Sequence, residues 1–290
     1  MSVFDRALAA AQERPARVVF PEMDEPRIAE AAEWLRAKKA AVPLACDGPT
    51  NAQMAVLVDG REVKEGVAWR MLSRPMFQAA AMVAAGEADA MVAGAVTATR
   101  RVIEAASIVI GMAEGVTVPS SYFLMVFPDG REMIWADCAV NVMPDAAELA
   151  DIARASAASG TALLGEARVA LLSFSTGTSG AGESVKLVRA VAEATGYPGP
   201  VQADAALNAA IAETKGIACG NANVLIFPDL NAGNIAYKLV QELSGAQAVG
   251  PLLQGFAGPV CDLSRGASPD DIVAATVLTV ARNAGLMTSS

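Results

Sequence analysis

Short apolar runs alternate with helical patterns along most of this chain, and that alternation limits its fold more than any other feature. The segment "RVVFPEMDEPRIAEAAEWLRAKKAAVPLACDG" (17–48) reads as a strand, a loop holding Pro21 and Pro26, an amphipathic helix and a second strand, which is a βαβ opening. "MFQAAAMVAAGEADAMVAGAV" (76–96) repeats the scheme as a helix, a stop at Gly86 and a buried strand. Further strands fit 120–127, 131–140, 168–175 and 223–230. Helices between strands allow parallel neighbours, so an α/β fold with a mostly parallel sheet is expected. "FPDGREMIWAD" (127–137) is the exception: Pro-Asp-Gly between two strand-like runs predicts a hairpin, and so one antiparallel pair in a mixed sheet. At 290 residues the chain stands between one large domain and two smaller lobes, with no repeat, low-complexity tract or long linker.

Charge and residue usage exclude several classes. The net charge of -9 leaves no footprint for nucleic acid or an anionic membrane surface, and an anionic substrate would need a local arginine cluster. Cys46, Cys138, Cys219 and Cys261 are widely spaced without a CxxC, so neither a zinc site nor a disulfide framework is indicated. Asp5, Arg6, Glu13 and Arg14 break any signal-peptide core, and no apolar run reaches the length of a membrane span, so a cytoplasmic protein is expected. The chain has no histidine. Ser-His-Asp and Cys-His machinery, histidine metal sites and a histidine base are therefore excluded.

Four stretches could carry chemistry. In "DLSRGASPDD" (262–271) Ser268, Pro269 and Asp271 have the form of a helix-capping box, and the same geometry brings Ser264 and Arg265 to a positive helix end where an anion could bind. "LLSFSTGTSGAGES" (171–184) sets hydroxyls, among them Ser175 and Thr176, and glycines after a strand; its amides could cradle a phosphate, or it is a bare strand-to-helix turn. "GAVTATRR" (94–101) offers Thr97, Thr99, Arg100 and Arg101 at a strand end, as a solvated face or as a phosphate clamp. "PDLNAGNIAYK" (228–238) gathers Asn231, Gly233, Asn234, Tyr237 and Lys238, and its plain reading is a turn with a helix cap at Asn231 or Asn234.

With "FPEMDEPRI", "ADAMVAGAV", "SSYFLM", "ADCAVNVMPDAAELADIA", "VQADAAL" and "GPLLQGFAGPVCDLSRGASPDDIV", these segments in this order make the chain resemble the phosphate acetyl/butyryl transferase family from about residue 17 to 275. The resemblance implies reversible acetyl transfer between coenzyme A and phosphate, so that acetyl-CoA and phosphate give acetyl phosphate and CoA. These are substrates; no bound cofactor or metal is implied. It also implies a homodimer of chains with two α/β/α lobes and a cleft between them, an architecture like that of isocitrate and isopropylmalate dehydrogenases. The first lobe would take residues 1–112 plus 253–290, and the second 113–252. Carried over by motif, the catalytic set is Ser264, Arg265 and Asp271: Asp271 takes the thiol proton, Arg265 holds phosphate and polarises the carbonyl, and Ser264 donates to the developing charge. Thr97, Arg100, Arg101, Ser175, Thr176, Asn234, Tyr237 and Lys238 are the expected substrate contacts.

The chain departs from the family in places. Thr97 stands where a histidine is usual, and Asn221 and Ala267 stand where lysine and cysteine are. The region between "LACDG" and "RPMFQAAAM" is short and leaves Arg61 as the candidate for a further substrate-side arginine. A propionyl or butyryl transferase and a non-catalytic acyl-CoA-sensing module are the alternatives; retention of Ser264, Arg265 and Asp271 disfavours the module. A dehydrogenase is disfavoured because its aspartate cluster and nucleotide loop are missing.

Overall fold

The computed structural model describes residues 1–283, which divide into two compact units, residues 1–119 with 250 onward and residues 120–249. In the first unit the chain runs through α1 (Val3–Glu13), β1 (Ala16–Val19), α2 (Pro26–Ala37), β2 (Ala41–Leu44), α3 (Asn51–Val58), α4 (Glu65–Leu72), α5 (Pro75–Ala84), β3 (Ala90–Ala93), α6 (Thr99–Ala105) and a π-helical turn, Ala106–Ile110. The second unit holds β4 (Ser120–Val126), β5 (Glu132–Ala136), α7 (Ala146–Leu164), β6 (Val169–Leu171), α8 (Glu183–Thr195), α9 (Ala203–Leu207), α10 (Ala209–Thr214), β7 (Val224–Ile226) and α11 (Leu230–Ser244). Through β8 (Gln247–Gln254) the chain returns to the first unit, which closes with β9 (Val260–Asp262) and α12 (Pro269–Asn283).

The first unit's strand order is β2-β1-β3-β9-β8. The first four strands are parallel, and β8 meets β9 antiparallel at Leu252 and Cys261. All of β3 is buried, as a strand covered on both faces must be. Its covers are two helix groups that pack within themselves: α1, α2 and α12 on one face, α3 to α6 on the other. Local chemistry sets the helix starts. Ser2 and Thr50 form capping boxes with Asp5 and Gln53, and Pro26 and Pro75 stand in first turns, where a missing N–H costs nothing.

In the second unit the order is β4-β5-β7-β6. The predicted hairpin is there: Tyr122 to Val126 pair antiparallel with Ala136 to Glu132, and the turn closes with the Phe127 amide donating to the Arg131 carbonyl. The side-chain period of two puts Phe123, Met125, Met133, Trp135, Leu225 and Phe227 on one sheet face, where Trp135 and Phe227 tilt against each other at 5.5 Å. The opposite face receives α7, whose Gly160 lies so close to Val224 that a β-carbon would not fit.

The expected α/β class with a mostly parallel, mixed sheet is therefore what the chain adopts. The antiparallel content is larger than expected, because the β8–β9 pair adds to the hairpin.

Candidate active site

The "GAVTATRR" and "LSRGAS" loops lie side by side because β3 and β9 do. The pairing of Ala93 with Asp262 brings both strands to their carboxyl ends together, and the Leu263 amide donates to the Ala93 carbonyl at 2.7 Å. Ligands of parallel sheets bind at that edge. Gly94 makes the close approach possible: its φ is +106°, and a β-carbon there would strike the Asp262 carboxylate and the Leu263 backbone.

From this edge Ser264, Arg265 and Asp271 all reach solvent. Ser264 Oγ accepts from the Gly266 amide at 3.3 Å and its carbonyl from the Ala267 amide at 2.9 Å, which turns the loop tightly. The Arg265 guanidinium has no ion pair among the described residues, whereas its carbonyl is held by Arg27 at 2.9 Å. Ser268, Pro269 and Asp271 form the predicted capping box: Asp271 Oδ2 accepts from Ser268 Oγ at 2.7 Å and from the Ser268 amide at 2.9 Å, and the Asp271 amide donates back to Ser268 Oγ at 3.2 Å. These bonds fix the carboxylate through Oδ2 and leave its second oxygen without a hydrogen bond among the described residues.

Arg100 and Arg101 stand exposed in the first turn of α6, and Thr97 is half-buried with its amide donated to Glu22. Below them Thr99 Oγ1 donates to Asp262 Oδ2 at 2.6 Å. Asp262 is buried and its other oxygen has no hydrogen-bond partner among the described residues. Burial, opposed by the Thr99 hydrogen bond and reinforced by the nearby Glu22 charge, pushes its pKa up to about 6.

Arg61 is elsewhere. Its Nη2 donates to the Val109 and Ile110 carbonyls at 3.2 and 2.8 Å, on a cavity of about 490 Å³ shared with Val83, Ala257 and Gly258. Those residues precede β3 and β9, so Arg61 lies at the opposite sheet edge from Arg265.

The second unit places its expected residues as follows. Ser175 and Thr176 are buried in a self-bonded loop after β6: the two hydroxyls of Ser175 and Ser179 meet at 3.1 Å, and Thr176 Oγ1 donates to Gln202 Oε1 at 3.2 Å and accepts from the Gln202 amide at 3.1 Å. The Asn234 side chain donates through Nδ2 to the Cys138 carbonyl at 3.0 Å, which docks α11 on the loop after β5. Tyr237 lies in the core, stacked on Phe123 at 4.3 Å, and Lys238 is exposed with its ammonium 5.1 Å from the Tyr237 ring centre. The cap of α11 is Asp229, which accepts from the Ala232 amide, and not Asn231 or Asn234.

Sequence reasoning missed Asp137, which is buried and accepts from the Ser121 hydroxyl, the Ala139, Val140 and Asn141 amides and the Asn141 side chain. It also missed Glu22, Arg27 and Asp262, whose partners are far away in sequence. Among the described residues no His, Cys, Asp and Glu cluster could hold a metal ion, and no helix is long and apolar enough to cross a membrane.

The model of the family "Phosphate acetyl/butaryl transferase" matches residues 47–280, so this chain belongs to that family. A phosphate acetyltransferase of Paracoccus denitrificans is 40% identical over 96% of this chain and 98% of its own length. One from Nitrosomonas europaea is also 40% identical, but the chain spans only 46% of its length. Among solved structures, the EutD phosphotransacetylase from Staphylococcus aureus superposes with a TM-score of 0.90 at 30% identity, covering 96% of this chain and 97% of its own. A phosphotransacetylase from Streptococcus pyogenes has a TM-score of 0.89, also at 30% identity and with the same coverage of both chains.

Proposed function

We propose that this chain is a phosphate acetyltransferase that moves an acetyl group directly between coenzyme A and phosphate. The observation that carries the reading is the loop after β9: an exposed Arg265, without an ion pair among the described residues, beside Ser264, with the Asp271 carboxylate fixed through one oxygen by the following helix cap. In the direction of thioester synthesis, Asp271 accepts the thiol proton, the sulfur forms a bond to the acetyl carbon, and the carbon–oxygen bond to phosphate breaks. Arg265 binds the departing phosphate and polarises the carbonyl, and Ser264 donates to the oxygen that gains charge. Unperturbed, an aspartate near 4 is a weak base for a thiol near 8.5. The step therefore depends on arginine stabilising the thiolate as it forms.

Attack by the substrate's own thiol fits the chain's cysteines. Burial pushes the Cys46 and Cys261 thiols up to about 12, which keeps them protonated and unsuited to carry an acyl group. Thr97, Arg100 and Arg101 are proposed as substrate contacts in the first unit, with the two arginines supplying positive charge against the chain's net charge of -9. In the second unit Lys238 is proposed as a contact for an anionic group, and Ser175, Thr176 and Asn234 as residues that shape their loops. The discontinuous first lobe, residues 1–112 plus 253–290, is proposed to carry this catalytic set.

A homodimer in the cytoplasm completes the proposal. Ile235, Leu239 and Leu243 recur at helical spacing on α11 and are 57%, 53% and 83% exposed, an apolar stripe of the kind a second copy covers.

Incubation of the protein with CoA and acetyl, propionyl or butyryl phosphate in turn tests the reading. Thioester formation is expected with all three and fastest with acetyl. Preference for butyryl phosphate would move the assignment to the longer-chain enzyme, and turnover of none would leave a module that binds acyl-CoA without reacting it.

A further inference from the structure

The "FPEMDEPRI" segment has no part in the transfer chemistry, yet two of its side chains grip both loops of the candidate site. Glu22 faces the amides at the end of β3. Its Oε2 accepts from Gly94 and Ala95 at 2.8 and 2.9 Å, and its Oε1 accepts from Val96 and Thr97 at 3.3 and 2.7 Å. Arg27 takes carbonyls from the two loops together: Nη1 donates to Arg265 and Ala267, both at 2.9 Å, and Nη2 donates to Ala95 at 3.1 Å. Its Nε is held by Glu25 at 2.6 Å, which sets the plane of the guanidinium.

We propose that Glu22 and Arg27 are positioning residues for acyl transfer, a rigid brace that fixes the loop carrying Thr97 against the loop carrying Ser264 and Arg265. This rests on the transferase reading and adds to it the groups that hold its cation in place. The physics favours such a device. A run of four amides turned toward one point would attract any anion, so a protein carboxylate in that place reserves it and leaves phosphate to the arginine side chains. The planar guanidinium suits Arg27, because its donors lie in fixed directions and can meet carbonyls on separate loops at once. A lysine ammonium cannot span them.

The brace acts through the loops and touches no reacting atom, so its loss should show in turnover more than in CoA binding. In Arg27→Lys, kcat for thioester synthesis is expected to fall about 100-fold, the size of effect that a small displacement of a reacting group produces, with KM for CoA unchanged and the melting temperature close to the parent's. Free guanidinium is expected to restore part of the activity of Arg27→Ala. Hydrogen exchange is expected to rise over residues 94–98 and 263–268 in Arg27→Ala, and over 94–98 in Glu22→Gln.

An Arg27→Lys variant with the parent's kcat would overturn the proposal. So would an Arg27→Ala variant that loses kcat and melting temperature together and is not rescued. If the parent turns over none of the acyl phosphates, the transferase reading fails on its own account and exchange alone judges the brace: unchanged protection of both loops in Arg27→Ala would overturn it, and raised exchange would uphold it.

Discussion

At the scale of single residues, the site combines a carboxylate left in the open with one that is sealed in. Asp271 is exposed, with one oxygen capped by Ser268. Asp262, nine residues earlier in the sequence, is buried with a pKa raised to about 6. A carboxyl with a folded-state pKa above its unfolded value binds more protons when folded, so its effect on stability runs opposite to that of a paired carboxylate. Between about pH 4 and 6 the Asp262 contribution should weaken the fold as pH rises, by up to about 3 kcal/mol in all, and then level off. Denaturant titrations across that window should show the slope in the parent and lose it in Asp262→Asn, with the variant more stable than the parent at pH 7. An unchanged slope in the variant would assign the effect to other groups.

At the scale of elements, the close crossing of the β3 and β9 loops depends on Gly94. Gly94→Ala must hold φ near +106° and push the new methyl into Asp262 and the Leu263 backbone, so a loss of at least about 2 kcal/mol in denaturant unfolding is expected. Ser268→Ala removes the hydroxyl from the α12 capping box and should cost about 1 kcal/mol; since it also releases Asp271, kcat should fall with it, whereas a purely structural cap would leave kcat untouched. The elements differ in how far their sequences disclosed them. The Pro-Asp-Gly hairpin, the βαβ opening and the Ser268 capping box were legible because turn, period and cap lie within a few residues of each other. β8 and β9 were not: "QAVGPLLQ" is interrupted by Gly250 and Pro251, and β9 is only Val-Cys-Asp. Within the site, the Ser264-Arg265 loop was legible as a motif. Glu22 and Arg27 escaped because their partners lie 72 to 75 and 68 to 240 residues away, and nothing local in "PEMDEPR" shows that its charges point at backbone.

At the scale of the whole molecule, the chain leaves its first unit near residue 119 and returns near 250, so the segments with Thr97 and Ser264 reach one sheet edge from opposite ends of the sequence. The apolar stripe on α11 carries the prediction for assembly. Sedimentation should find a dimer in the parent, and Leu239→Glu should shift it toward monomer with the fold retained; a parent that sediments as a monomer at micromolar concentration would contradict the proposed homodimer. The central claim is tested most directly by the rate of thioester formation from CoA and acetyl phosphate, followed at the thioester absorbance in the parent, Arg265→Ala and Asp271→Asn. Rapid turnover is expected in the parent, with at least about a 100-fold loss of kcat in each variant; the melting temperature should be unchanged in Arg265→Ala, whose side chain is exposed, and at most slightly lowered in Asp271→Asn, whose amide oxygen can still accept from Ser268 in the cap. Folded variants that keep the parent's rate would contradict it.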